Sequence, residues 1–133
     1  SALANDTYTG IVLGFISNGT IAIGNAVYIH TADGRVAKAQ GDAVGTMPCI
    51  GVAVTGASDG GAIKILTHGI YNDSDGFGSD LTEGAIMYVD DDTAGLVTAT
   101  IPDADGEFVQ RVGIAVGPRD VFVNPSLDVI ERD

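Results

Sequence analysis

The sequence predicts an almost all-β fold, a compact β-sandwich or small β-barrel, and three observations carry that expectation. Val and Ile number 27 and Thr 11, against 19 for Leu, Met, Glu, Lys, Gln and Arg combined. β-Branched side chains suit a pleated surface and lose χ1 freedom in a helix. Turn signals such as Asn18-Gly19, Asp33-Gly34 and Ser58-Asp59-Gly60-Gly61 punctuate the chain at short intervals. Finally, the chain repeats itself. No segment sustains a 3.6-residue apolar period, so at most one short helical turn is expected.

The repeat is carried by five blocks in the same order. Gly24-Asn25-Ala26-Val27-Tyr28-Ile29 recurs as Gly84-Ala85-Ile86-Met87-Tyr88-Val89, and Gly34-Arg35-Val36 as Gly95-Leu96-Val97. Asp42-Ala43-Val44-Gly45 answers Asp103-Ala104-Asp105-Gly106, Gly51-Val52-Ala53-Val54 answers Gly113-Ile114-Ala115-Val116, and Ile63-Lys64-Ile65 answers Val121-Phe122-Val123. The expected organisation is an N-terminal arm and first strand over 1–20, then a single β domain over 21–133. That domain contains pseudo-repeats of short antiparallel strands at about 21–70 and 81–130, joined by an acidic linker over 71–80. Units of about fifty residues are too small to hold separate cores, so the two are expected to pair face to face and share one.

Element by element, Tyr8–Ile16 reads as a strand behind an extended, polar N-terminal arm, and Asn18-Gly19 closes it. Ala26–His30 and Arg35–Ala39 form a hairpin about Asp33-Gly34. A loop from Gly41 to Pro48 leads into Cys49–Thr55, and the turn at Ser58–Gly61 leads into Ala62–Thr67. The second copy supplies Ile86–Val89, Leu96–Thr100, Phe108–Val116 and Val121–Val123. Gly51 and Gly113 sit inside strands, where glycine marks a bulge or a close backbone approach.

Composition excludes several classes of function. The 133 residues carry 18 acids and six bases, a net charge of −12. Nucleic-acid and anionic-membrane surfaces both need clustered Lys and Arg, so neither partner is expected. One Cys provides neither an intramolecular disulfide framework nor a multi-Cys zinc site.

Candidate chemistry is sparse. Asn72-Asp73-Ser74-Asp75-Gly76 alternates oxygen ligands before a glycine, as a calcium loop does, and makes Asp73 and Asp75 a weak metal candidate. Set on the EF-hand template, Tyr71 and Thr82 occupy the positions of the two strongest carboxylate ligands, so a solvated linker is the better reading. Asp90-Asp91-Asp92 reads as a charged hairpin tip, because successive strand residues point to opposite faces. Cys49 enters an apolar strand, and His30 and His68 lie 38 residues apart, which forms neither a relay nor a metal motif. A small hydrolase using paired carboxylates would need a converging buried pair. No enzyme activity, cofactor or metal is expected.

At the termini, Ala2, Leu3, Ala4 and Tyr8 mark the arm as a segment able to add a strand to a neighbour's sheet. Phe122, Leu127, Val129 and Ile130 keep the C-terminal segment apolar almost to its end, which points to packing on the chain's own sheet or to self-association.

The residues from Gly24 to Asp33-Gly34, Met47 to Ala53, Ile63 to Tyr71, Gly84 to Val89 and Val112 to Asp128 together resemble a domain common in tailed-bacteriophage virion proteins. The likeness covers roughly 20–128 and looks like capsid decoration (cement) proteins and head- or tail-fibre modules. It implies a non-enzymatic structural protein on the outer capsid surface of the virion. The implied partners are the major capsid protein, gripped by the arm, and further copies of the chain, with a homotrimer favoured. A fibre or spike module for host-surface recognition is the alternative.

Overall fold

The computed structural model describes residues 3, 6–73 and 80–132. Eleven strands are present: β1 Tyr8–Ile16, β2 Ala26–Ile29, β3 Val36–Lys38, β4 Cys49–Ala53, β5 Ala62–Asn72, β6 Ile86–Val89, β7 Val97–Thr98, β8 Phe108–Val109, β9 Arg111–Ala115, β10 Asp120–Val123 and β11 Ile130–Glu131. One 3₁₀ turn, Val44–Thr46, is the single helical element among the described residues. The all-β expectation holds: nine strands form one antiparallel sheet curled into a half-barrel, and β11 pairs with β8 as a small second sheet.

Several strand ends fall one or two residues from the expected ones, and three larger differences stand out. β5 continues five residues past Thr67, so Tyr71 and Asn72 belong to a strand and not to the linker. Glycine at position 69 suggests a strand end, but Gly69 stands directly across from Gly10 in the β1 ladder. A Cβ on Gly10 would overlap the His68 carbonyl oxygen, and one on Gly69 would overlap that of Thr9, so the bare pair lets the backbones close. Secondly, the segment Phe108–Val116 divides into β8 and β9 at Gln110, whose side chain is committed to the core. Lastly, β11 was not anticipated, being two exposed residues with no alternation to read.

The repeat appears as duplicated register. In the first half Ala26 pairs with Val52, Val27 with Gly51 and Tyr28 with Cys49, with a bulge after Val27. In the second half Ile86 pairs with Ile114, Met87 with Gly113 and Tyr88 with Arg111, with a bulge after Met87. Entry to each half is tied by the same bond, Gly24 N–H to Ala53 carbonyl at 2.8 Å and Gly84 N–H to Ala115 carbonyl at 2.7 Å. A Cβ at Gly51 would overlap the Leu66 carbonyl oxygen, and at Gly113 that of Phe122. Both expectations for these glycines, bulge and close approach, therefore coincide at one place in each copy.

The sheet order β3-β2-β4-β5-β10-β9-β6-β7 places the halves on either side of β5–β10. β1 lies along β5 from Ala62 to Tyr71, so β4, at Ile65 and Leu66, and β10, at Gly69–Asn72, meet the opposite edge of β5 one after the other. From that edge the two halves diverge and fold over a common core.

Cross-strand partners point to the same face of a sheet, which allows the core to be traced row by row. Val12, Leu66, Val52 and Ala26 form one row of the first half, facing the main core with Tyr28 and Cys49. From the second half the main core receives Met87, Val89, Val112, Ala115, Val121 and Val123. Strand pairing corrects the last repeat block by two residues, since Ala53 faces Ile65 where Ala115 faces Val121, so Ile65 and not Ile63 is the counterpart of Val121. Val27, Ala53 and Ile65 thus correspond to Met87, Ala115 and Val121, yet they point the other way, into a smaller core with Ile21, Val36 and Ile63. Phe15, Ile50 and Ala57 pack against that smaller core. The halves do share one core, but they stack front to back, each offering it the face that the other turns away.

Candidate functional site

β1 is the most exposed strand of the large sheet. Tyr8 is 38% exposed, Ile11 58%, Leu13 47% and Ile16 42%. No Asp, Glu, Lys or Arg occurs between Thr7 and Ile29. Because β5 occupies one edge of β1, the other edge carries backbone donors and acceptors with no strand partner among the described residues, along an apolar, uncharged strand. Natural edge strands are usually protected by charge, proline or brevity. β1 has none of these protections over its nine residues.

A second apolar surface lies on the outer face of the second half. Thr9, Ile70, Phe122, Ile114 and Ile86 are successive cross-strand partners, so they form one row across β1, β5, β10, β9 and β6. Ile86 is 38% and Ile114 43% exposed, and Phe122 is half-buried with the His68 ring edge-on at 5.3 Å between centroids. Beside this row Ile86, Ile114, Phe122, Arg111 and Pro125 line a hollow of about 310 Å³. Arg111 makes no ion pair among the described residues, whereas Arg35 lies 3.9 Å from Asp33 and Arg119 lies 3.2 Å from Asp80.

The expected site residues fall in different places. Ala2, Ala4 and Asp75 lie outside the described residues. Leu3 is half-buried, and Tyr8 opens β1, paired across to Tyr71. Phe122 belongs to the outer row, Leu127 and Ile130 are each 67% exposed, and Val129 packs against the chain's own main core. The C-terminal segment thus divides between the two roles expected of it.

Asp73 is buried, with its carboxylate against the bare face of Gly24. Next to it Asn72 donates to Asp120 at 2.9 Å and accepts from the Asp6 N–H at 3.2 Å, tying the start of the chain to the end of β5.

Cys49 is wholly buried, and desolvation pushes its thiol up to about 12, leaving it protonated at neutral pH. His30 stands 3.2 Å from Asp33 on an exposed turn. The Arg35 N–H, donated to Asp33, holds that carboxyl below its ordinary value, with Asn18 and His30 assisting. His68 packs on Phe122. The acidic run Asp90-Asp91-Asp92 behaves differently from expectation. Asp90 turns back to accept from the N–H groups of Asp92 and Thr93, while Asp91 and Asp92 gather with Glu107, their carboxylate oxygens within 4.8 Å. The third member comes from a distant loop, which spacing within the run does not reveal. These carboxylates are exposed or half-exposed, as solvated acids commonly are.

Two features went unread in the sequence. Ile86 and Ile114 look like ordinary strand positions, and only pairing shows that they share an uncovered face. Gln110 sits in an apolar run and is 1% exposed. Its Oε1 accepts from the Cys49 N–H at 2.7 Å, and its Nε2 donates to the carbonyls of Cys49 at 2.8 Å and Ser126 at 2.6 Å. An uncharged amide inside the expected strand Phe108–Val116 was the available signal.

No protein-family model and no curated protein matches the chain. The fold and its exposed surfaces define an acidic all-β module with an open apolar strand edge and an open apolar sheet face.

Proposed function

We propose that this chain is a non-enzymatic structural protein of a virion, docking on the outer surface of a tailed-phage capsid and reinforcing the shell. The observation that supports this reading is β1: a nine-residue apolar edge strand without charge, on a chain whose net charge is −12. Such an edge offers main-chain hydrogen bonds to an added strand of the major capsid protein, and the side chains of Tyr8, Ile11 and Leu13 offer apolar area. The remaining acidic surface suits an outer coat, because it keeps particles apart and does not compete for the packaged genome. The resemblance of residues 20–128 to virion domains is the ground for taking the major capsid protein as that partner.

Cosedimentation with undecorated capsids tests the reading. The chain is expected to pellet with shells, and the pair Ile11→Lys and Leu13→Lys to remain in the supernatant. A wild-type chain that stays in solution with intact shells, or that binds cell-surface glycan instead, would overturn decoration in favour of a fibre or spike module.

A further inference from the structure

The chain has five asparagines, and the backbone nitrogen that follows each one sets Asn18 apart. An asparagine loses its amide when that nitrogen attacks the side-chain carbonyl carbon and closes a five-membered imide ring. The nitrogen must shed its proton to attack, and a side chain on its own Cα hinders the approach. Asn124 precedes Pro125, which has no N–H to lose. Asn25 precedes the wholly buried Ala26, whose N–H donates to the Gly95 carbonyl at 2.8 Å. Asn72 precedes the buried Asp73, whose N–H donates to the Arg119 carbonyl at 3.0 Å. Asn5 lies outside the described residues, and the Asp6 N–H that follows it donates to the Asn72 amide oxygen at 3.2 Å. Asn18 alone precedes a glycine, and the Gly19 N–H donates to a carboxylate, Oδ1 of Asp59, at 2.9 Å. An amide oxygen is too weak a base to take that proton, whereas a carboxylate within hydrogen-bond reach of it is a general base in position.

We propose that Asn18 is a self-modification site, converting to aspartate and isoaspartate with Asp59 as the base that takes the Gly19 proton. The Gly19 N–H gives its proton to Asp59 as the nitrogen's electron pair bonds to Asn18 Cγ. The Cγ–Nδ2 bond then breaks, and Nδ2 takes up that proton and leaves as ammonia. Water opens the ring and restores the Gly19 N–H. Its attack at Cγ yields aspartate, and its attack at the Asn18 backbone carbonyl carbon yields isoaspartate. The fold holds the base in place. Gly60 N–H donates to the Ser17 carbonyl at 2.8 Å and Ser17 N–H to the Gly61 carbonyl at 2.8 Å, which pins the Asp59 turn against the Asn18 turn. A Cβ built on Gly19 meets nothing within 4 Å, and both residues of the pair are only half-buried, so water reaches the ring. The reaction also changes the structure around it. The Asn18 amide donates to Asp33 Oδ2 at 3.2 Å, and conversion replaces that donor with a carboxylate facing another carboxylate. The turn that closes β1 is thereby loosened from the β2–β3 hairpin. No partner takes part, so the inference stands apart from capsid docking.

Incubating the full chain in mildly alkaline buffer and following its peptides by mass spectrometry tests the site. In wild type the peptide holding Asn18 is expected to gain the mass of an amide-to-acid exchange and to split into aspartate and isoaspartate forms. Peptides holding Asn25 and Asn72 are expected to stay unchanged over the same time. Asp59→Ala is expected to slow the conversion several-fold with an unchanged circular dichroism spectrum. The sign of that change separates a base from a brace, since removing a brace loosens the turn and speeds the reaction. In concentrated urea, wild type and Asp59→Ala are expected to react at equal rates, because nothing then holds the carboxylate at Gly19. An Asn18 that stays intact, or converts no faster than Asn25, would overturn the site. An Asp59→Ala variant that reacts as fast as wild type or faster, or a difference that survives in urea, would overturn Asp59 as the base.

Discussion

Gln110 lies inside the core with both ends of its amide occupied, and the partners it holds belong to the other half of the molecule and to the C-terminal segment. Replacing it with Ala leaves the buried Cys49 N–H without an acceptor, and an orphaned buried group costs about 1–3 kcal/mol. Gln110→Ala is therefore expected to lower the unfolding free energy by that amount, read as a lower urea midpoint, and Gln110→Glu to fail to restore it, since a carboxylate cannot donate to the Cys49 and Ser126 carbonyls. Gly113→Ala makes a sharper case. The added methyl must displace the Phe122 carbonyl, and overpacking of a closed site costs about 1–3 kcal/mol or more. The same substitution at Gly34, where a Cβ meets nothing, relieves no clash and tests only the turn's positive φ. Cys49 carries a pH signature. Its thiol titrates near 8.5 in an unfolded chain and is raised to about 12 here, so the native state favours the protonated form. That stability is complete below about pH 8.5 and is lost as pH climbs from there toward the folded value. Tyr71, raised in turn by burial and by the neighbouring Asp73, adds a loss of the same sign. Urea midpoints are expected to be flat from pH 6 to 8 and to fall above about pH 9, with Cys49→Ala removing part of the fall. A midpoint unchanged at pH 10 contradicts the burial of Cys49.

At the scale of elements, the strands were legible wherever hydrophobic alternation met clear turns. Tyr8–Ile16 and Ile86–Val89 begin and end where their sequences predict. The end of β5 was not legible, because Gly69 reads as a stop until Gly10 is found opposite it. The repeat itself could be read from its short blocks, although pairing shifts the last of them by two residues, and the way its copies stack could not be read at all. Alternation assigns two faces to a strand without saying which one meets the core, and here the copies choose oppositely. That choice has a measurable consequence for the buried and the uncovered row. Leu66→Ala, in the main core, is expected to cost about 2–5 kcal/mol. Ile114→Ala, on the uncovered row, is expected to cost less than about 1 kcal/mol in dilute solution, because much of its surface is already wet. Similar costs from paired chemical denaturation curves would contradict front-to-back stacking. The exposed surfaces were only half legible for the same reason. The apolar character of β1 stands in its sequence, whereas the row Ile86–Ile114–Phe122 exists only through pairing across three strands.

For the molecule as a whole, two surfaces stand apart from the acidic remainder: the open edge of β1 and the open face of the second half. Both are apolar, and both follow from the topology. β1 is attached outside the sheet path and has no strand on its far side among the described residues, and the second half turns toward the core the face that the first half turns away. The charge that first argues against nucleic acid now also confines where another protein can approach, since repulsion is weakest at these two places. Cryo-electron microscopy of purified particles tests the account most directly, by locating the chain. The account predicts density of this β module in many copies across the outer capsid surface, with β1 against the shell. Density confined to a fibre or spike, or none on the particle, would contradict it.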